Sequence, residues 1–143
     1  MRAAVLGVEE LERRLGQEFP EAFHAGSGLA ILDVWHGGAR LRQDCRTNST
    51  RPGGTVSGPV IMQLADATMY VAVLASIGWV PLAVTTNLNI NFLKKPAPGM
   101  LIGECRLMKL GKRLAVGEVG IRVDGDPDLV AHATSTYSVP PRT

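Results

Sequence analysis

One carboxylate inside a greasy run is the most chemically suggestive feature of the sequence. Residues 60–77 are apolar almost throughout, and Gln63 and Asp66 interrupt them. A carboxylate on the third turn of a helix whose other faces are apolar meets little competition from water, which suits it to proton abstraction or attack on carbon. Just upstream stand Gly53-Gly54 and Ser57-Gly58. The first N–H groups of a helix lack intrahelical partners, and with the helix dipole they form a site for negative charge. Asp66 follows Ser57 by nine positions, which is roughly 12–14 Å along a helix axis. That span is too long for both to act on one atom within one chain. If both serve one substrate, they come from two copies packed antiparallel, so chemistry here implies a dimer.

Three roles are open to this helix: a membrane span, a structural helix, or a carrier of chemistry. About eighteen residues is long enough for a span. Against it, Gln63 and Asp66 lie inside and four half-polar strands follow; an ionised Asp at mid-bilayer costs roughly 2.5–3.5 kcal/mol on insertion scales. In the structural role Asp66 would be satisfied by a backbone N–H or an arginine.

The elements that must position Asp66 are legible from periodicity. Ser57 or Gly58 at the N-cap, Pro59 at the first helical position and Gly78 past the end punctuate the long helix. Leu11, Leu15, Phe19 and Phe23 recur every four residues, an amphipathic helix over residues 8–23 interrupted near Pro20. Residues 29–35 and 39–46 read as a strand pair turned by Gly37-Gly38, and residues 47–58 as a loop rich in turn formers. From residue 82 to 92 the even positions Leu82, Val84, Thr86, Leu88, Ile90 and Phe92 face one way, with Thr85, Asn87, Asn89 and Asn91 opposite. Alternation resumes over residues 101–107, 115–123 and 129–139. A curved antiparallel sheet wrapping one buried helix is the economical packing of this order.

Composition removes several classes. The 143 residues make about one domain. A net charge of +2 and seven aromatics give neither a phosphate-tracking groove nor a base-stacking platform, so no nucleic-acid partner is expected. Cys45 and Cys105 form no CxxC and read as small buried hydrophobes, and His24, His36 and His132 show no metal-ligand spacing. The N-terminus lacks the pattern of a secretory signal, so the expected setting is cytoplasmic, with no membrane partner.

The run Gly54-Thr55-Val56-Ser57-Gly58, followed by Leu64-Ala65-Asp66-Ala67, resembles the helix signature of hotdog-fold thioesterases of the phenylacetate-degradation (PaaI-like) type. In that family a His-Gly-Gly opens the central helix and an Asp or Glu nine residues later carries catalysis. The likeness continues through residues 83–92, Lys94-Lys95-Pro96-Ala97, residues 110–115 and Ala131-His132-Ala133-Thr134, covering about residues 30–140. It implies an α+β hotdog domain over residues 29–143, an antiparallel sheet around one long helix, preceded by an N-terminal helical segment, residues 1–28. It further implies a homodimer, assembled as a dimer of dimers, that hydrolyses an acyl- or aryl-CoA thioester to the free acid and CoA. Coenzyme A enters only as part of the substrate, with no other cofactor and no metal.

Carried onto this sequence, the resemblance makes Asp66 the general base or nucleophile and the Gly58 backbone N–H of the partner subunit the oxyanion donor. Thr85 matches a hydroxyl that positions water in some relatives. Lys112 and Arg113, with Lys95 and Asn48, are candidates to meet the CoA phosphates, although a solvated turn explains the cations equally well. The chain departs from the pattern at three places: Ser57 replaces the His, Pro59 the second Gly, and Arg51 a position usually Asn or Gln. Ser57 and Arg51 can still donate to a thioester carbonyl. Tyr70, one turn after Asp66, is a candidate to steady the carboxylate, and Trp35 and Trp79 to wall an acyl pocket. Two other readings stand beside hydrolysis: a non-catalytic acyl-CoA binder, and a hydratase or dehydratase, which usually needs an imidazole beside the carboxylate.

Overall fold

The computed structural model describes residues 2–46 and 50–141, apart from the side chains of Thr50 and Arg51. Helix α1 (Val8–Glu18) and the short α2 (Pro20–Phe23) come first, divided at Pro20 as its missing N–H requires. Strands β1 (Leu29–Trp35) and β2 (Gly38–Asp44) follow, then the two-residue strands β3 (Thr50–Arg51) and β4 (Thr55–Val56), which pair within the expected loop. Helix α3 (Gly58–Ile77) leads into β5 (Val84–Phe92), β6 (Met100–Leu110), β7 (Leu114–Val123) and β8 (Leu129–Ser138). Six strands form one antiparallel sheet in the order β1-β2-β6-β7-β8-β5, and α3 lies against its inner face.

Helix α3 has the length and hydropathy of a membrane span, yet it is mostly buried within the fold, which is where its apolar faces are satisfied. Ser57 is its N-cap without a side-chain cap bond, and Gly78, at φ +104°, returns its N–H to the Leu74 carbonyl. Two glycines let the helix come close to the sheet. A Cβ on Gly103 would lie 2.6 Å from Thr68 Oγ1, and one on Gly117 would lie 2.9 Å from Met69 Sδ. The core joins α3 to the inner faces of β2, β6, β7 and β8, and it includes Leu11 and Leu15 of α1. Both cysteines are buried in it; burial, with the nearby Glu118, pushes the Cys105 thiol up to about 12.

The expected alternation over residues 82–92 breaks at one point. The strand starts at Val84, and the β5–β8 register slips between Thr85 and Asn87, which makes Thr86 an extra residue. Thr85 pairs with Tyr137, while Leu88 pairs with Ser135 and Ile90 with Ala133, so Thr85 shares the inner face with Leu88 and Ile90 rather than the outer face with the asparagines. Thr86 and Val84 are exposed instead. A bulge reverses the facing of every residue before it, and here that reversal turns Thr85 toward α3.

Candidate active site

Asp66 is half-buried on α3, and its side chain meets two hydroxyls brought by neighbouring strands. Thr85 Oγ1 donates to Asp66 Oδ1 at 2.6 Å, and Tyr137 Oη donates to the same oxygen at 2.9 Å. Tyr137 Oη also lies 3.2 Å from the Asp66 carbonyl. Among the described residues Oδ2 takes no hydrogen bond, and no arginine, lysine or histidine neutralises the carboxylate. Burial, then the charge of Asp66, holds the Tyr137 phenol well above its ordinary range, so it stays a donor.

Beside Asp66 opens a cavity of about 500 Å³, walled by Phe19 and Phe23 from the N-terminal helices, Tyr70 and Gln63 from α3, and Trp79 after it. Thr85 and Tyr137 also line it. Trp79 lines this cavity, whereas Trp35 packs over Gly38 at the β1–β2 turn. Tyr70 does not steady Asp66: its ring stacks on Tyr137 and its hydroxyl donates to the Pro81 carbonyl at 2.8 Å, in the chain that follows α3. Tyr137 takes that role. Sequence reading missed it because it lies seventy-one positions from Asp66, and only strand pairing joins them.

The other candidates divide between the two ends of β5. Gly58 opens α3 beside Phe92, whose Cζ would be 3.5 Å from a Cβ on Gly58. Ser57 precedes it, and the Val56 N–H donates to the Pro96 carbonyl at 3.0 Å, which ties the exposed Lys95 turn to this end. Lys94 is paired with Asp126 at 3.1 Å. Lys112 and Arg113 are exposed on the β6–β7 turn, where Val139 donates to the Arg113 carbonyl; Ser138 pairs with both Leu114 and Val84, so this turn lies at the Asp66 end. Asn48 and the Arg51 side chain lie outside the described residues. His132 is held by Glu118 at 3.0 Å on the far side of the sheet, and the His24 ring accepts from the Gly26 N–H.

The sequence model of the thioesterase superfamily matches residues 53–130, which contain both the α3 entrance and Asp66. The chain belongs to that superfamily. A curated protein of Saccharolobus solfataricus, described as an esterase, is 33% identical over 135 residues, covering 94% of this chain and 87% of the relative. A crystal structure from Silicibacter sp. TM1040, described as a thioesterase, superposes with a TM-score of 0.86 at 39% identity, covering 96% of this chain and 94% of that one. The phenylacetic acid degradation protein PaaI from Thermus thermophilus, in a mutant form, shares the fold with a TM-score of 0.72 at 24% identity, over 85% of this chain and 98% of its own. The fold is the hotdog of the thioesterase superfamily, and the chain is a hydrolase of that kind.

Proposed function

We propose that this chain hydrolyses acyl-CoA thioesters, with Asp66 as the carboxylate that drives the reaction and a second copy completing the site. The observation that carries the reading is the Asp66 carboxylate itself, unneutralised among the described residues, held through Oδ1 by two hydroxyls and lining the cavity. As general base, Oδ2 takes a proton from water as the water oxygen bonds to the thioester carbonyl carbon. The tetrahedral oxyanion then collapses, the carbon–sulfur bond breaks, and the thiolate leaves and is protonated. As nucleophile, the carboxylate would bond to the carbonyl carbon as the carbon–sulfur bond breaks and the thiolate leaves, and water would then open the mixed anhydride to the free acid and restore the carboxylate. Either route needs donors for the oxyanion, and beside Asp66 the described cavity lining offers only the Gln63 amide besides the two hydroxyls already bonded to Oδ1.

The unpaired edge of β5 supports a two-fold partner that brings those donors. Thr85 and Phe92 mark its two ends, about 23 Å apart at strand rise. Antiparallel pairing with a second β5 about a two-fold at Asn89, with Thr86 as the bulged extra residue, keeps inward side chains opposite inward ones and sets Thr85 against Phe92 of the partner subunit. Asp66 then faces Gly58 of the partner subunit, with its N–H at the positive end of the helix. The same operation brings Lys95 of the partner subunit toward Lys112 and Arg113, a cationic setting for the CoA phosphates. The exposed apolar residues Met62, Val84, Phe92 and Leu93 flank this edge, as a subunit contact would require. A dimer of dimers and a cytoplasmic setting belong to the same reading.

A thiol-release assay over aryl, short-chain and long-chain CoA esters tests it, run beside Asp66→Asn. The parent should release thiol, and the variant should lose about a thousandfold or more in kcat while its circular dichroism stays unchanged. Equal turnover by Asp66→Asn, or tight binding of the esters without thiol release, would overturn the proposal.

A further inference from the structure

The chain has seven aromatic residues, and five of them, Phe19, Phe23, Tyr70, Trp79 and Tyr137, line the cavity beside Asp66. Four make a row. The Phe23 and Phe19 rings are 5.8 Å apart, Phe19 meets Tyr70 edge-on at 6.1 Å, and Tyr70 stacks on Tyr137 at 6.0 Å. Tyr137 ends the row on Asp66 Oδ1. A continuous aromatic wall therefore runs from the reacting carboxylate to the N-terminal helices, which lie outside the superfamily match at residues 53–130.

Local sequence explains why those helices can present rings there. Pro20 stops α1, Phe19 serves as its C-cap, and α2 restarts so that Phe19 and Phe23 turn to one side. Helix α1 is pinned: Leu11 and Leu15 are fully buried, Glu12 accepts from the Ile31 N–H at 3.3 Å, and Arg14 lies 5.4 Å over the Trp79 ring. Helix α2 buries none of its residues, and Phe19 is 40% exposed. Rings fixed on a cavity wall yet wetted on one face lose that hydration cost when an apolar group covers them. Charge narrows the choice further. Among the described residues, the only charged side chains lining the cavity are the acids Glu18 and Asp66. An acyl group ending in its own carboxylate would meet like charge there and find no cation.

We propose that Phe19 and Phe23 set the acyl specificity, gripping the far part of an uncharged apolar acyl group laid along the aromatic row, while Glu18 turns away acyl groups that end in a carboxylate. This inference rests on the thioesterase reading and names the substrate class for the same site. The cavity volume of about 500 Å³ falls in the range of small-molecule sites and leaves an acetyl group largely uncontacted.

The test compares kcat/KM for acetyl-, hexanoyl-, phenylacetyl- and glutaryl-CoA. Phe19→Ala and Phe23→Ala should lower the value for the two larger neutral esters about tenfold more than for acetyl-CoA. Phe19→Leu, which keeps apolar bulk, should restore hexanoyl-CoA before phenylacetyl-CoA if an aryl group is the better fit, and both together if the site only needs grease. Glu18→Gln should raise glutaryl-CoA turnover about threefold or more. Changes that are equal across all four esters would overturn the inference and leave the thioesterase reading standing. Calorimetric binding of a phenacyl-CoA thioether, which has no thioester to cleave, separates the two claims. If the parent releases thiol from no ester, the thioesterase reading fails; weaker thioether binding by Phe19→Ala still supports the aromatic grip, and unchanged binding overturns it.

Discussion

Tyr137 Oη and Asp66 Oδ1 are 2.9 Å apart, and the strand partner of Tyr137, Thr85, donates to the same oxygen at 2.6 Å. Two donors on one carboxylate oxygen restrict the rotation of the group and leave the second oxygen without a hydrogen bond among the described residues. A carboxylate on a helix would otherwise sample several rotamers, and each would aim its lone pairs differently. The pair of hydroxyls is therefore a positioning device, and its members can be tested singly.

Tyr137→Phe keeps the ring and its stack on Tyr70 but removes one donor. It should lower kcat about tenfold with KM changed less than about twofold, and lower stability by about 1 kcal/mol. Steady-state kinetics with a thermal melt reads both. A KM rise with constant kcat would show that the hydroxyl binds substrate instead.

Thr85 depends on the bulge at Thr86 for its direction, so its test separates hydroxyl from shape. Thr85→Val keeps the β-branched outline and should lose about tenfold in kcat, whereas Thr85→Ser should retain most of it. Equal activity in Thr85→Val and the parent would remove Thr85 from the positioning pair.

The two-fold arrangement makes a prediction about a residue far from Asp66 in its own copy. Phe92 is 49% exposed beside Gly58, so Phe92→Glu costs the isolated chain little. In a β5–β5 dimer it would bury an unpaired charge, which costs several kcal/mol. Light scattering should show the variant at half the parent's mass, with thiol release lost although the Asp66 hydrogen bonds remain. A variant that keeps both the parent's mass and its activity would rule out this interface.

Much of this geometry was legible in the sequence. The helix punctuation of Pro59 and Gly78, the apolar run around Asp66 and the period-2 strands lead to one helix against an antiparallel sheet, because each signal is local. The direction of Thr85 was not legible: a bulge is one extra residue, and its position depends on how β8 pairs with β5. Tyr137 was invisible for the same reason, since nothing in its neighbourhood marks it as a partner of Asp66. Tyr70 drew attention through helical spacing alone, and its hydroxyl was claimed instead by the Pro81 carbonyl. Nonlocal pairing, rather than propensity, hid the hydroxyls that hold the carboxylate.

Close helix–sheet packing gives a stability test independent of function. A Cβ on Gly103 would lie 2.6 Å from Thr68 Oγ1, 3.2 Å from Ile121 and 3.3 Å from Leu64, all within the core. Thr68 Oγ1 is held on the Leu64 carbonyl at 2.6 Å and has little room to yield. Gly103→Ala should therefore destabilise the fold by roughly 1–3 kcal/mol, as overpacked cores do. Chemical denaturation measures it, and an unchanged midpoint would mean that α3 can lift off the sheet without penalty.

The two cavity tyrosines predict the alkaline limit. Burial, reinforced by Glu18, pushes the Tyr70 phenol up to about 12 from its ordinary 10.0, and burial with Asp66 raises Tyr137 as well. Protons are thus held more tightly in the folded chain than in the unfolded one. The stability these groups contribute is fully present below pH 10.0, the ordinary phenol value, and is lost as pH climbs toward about 12. Tyrosinate absorbance should stay flat through the ordinary phenol range and then rise together with the loss of circular dichroism, since unfolding is what releases the protons. Tyr70→Phe should shift that coupled transition to higher pH, because it removes one of the groups whose ionisation favours the unfolded chain. A smooth tyrosine titration near 10.0, with the fold intact, would show that both hydroxyls are open to water and that the wall beside Asp66 is not closed.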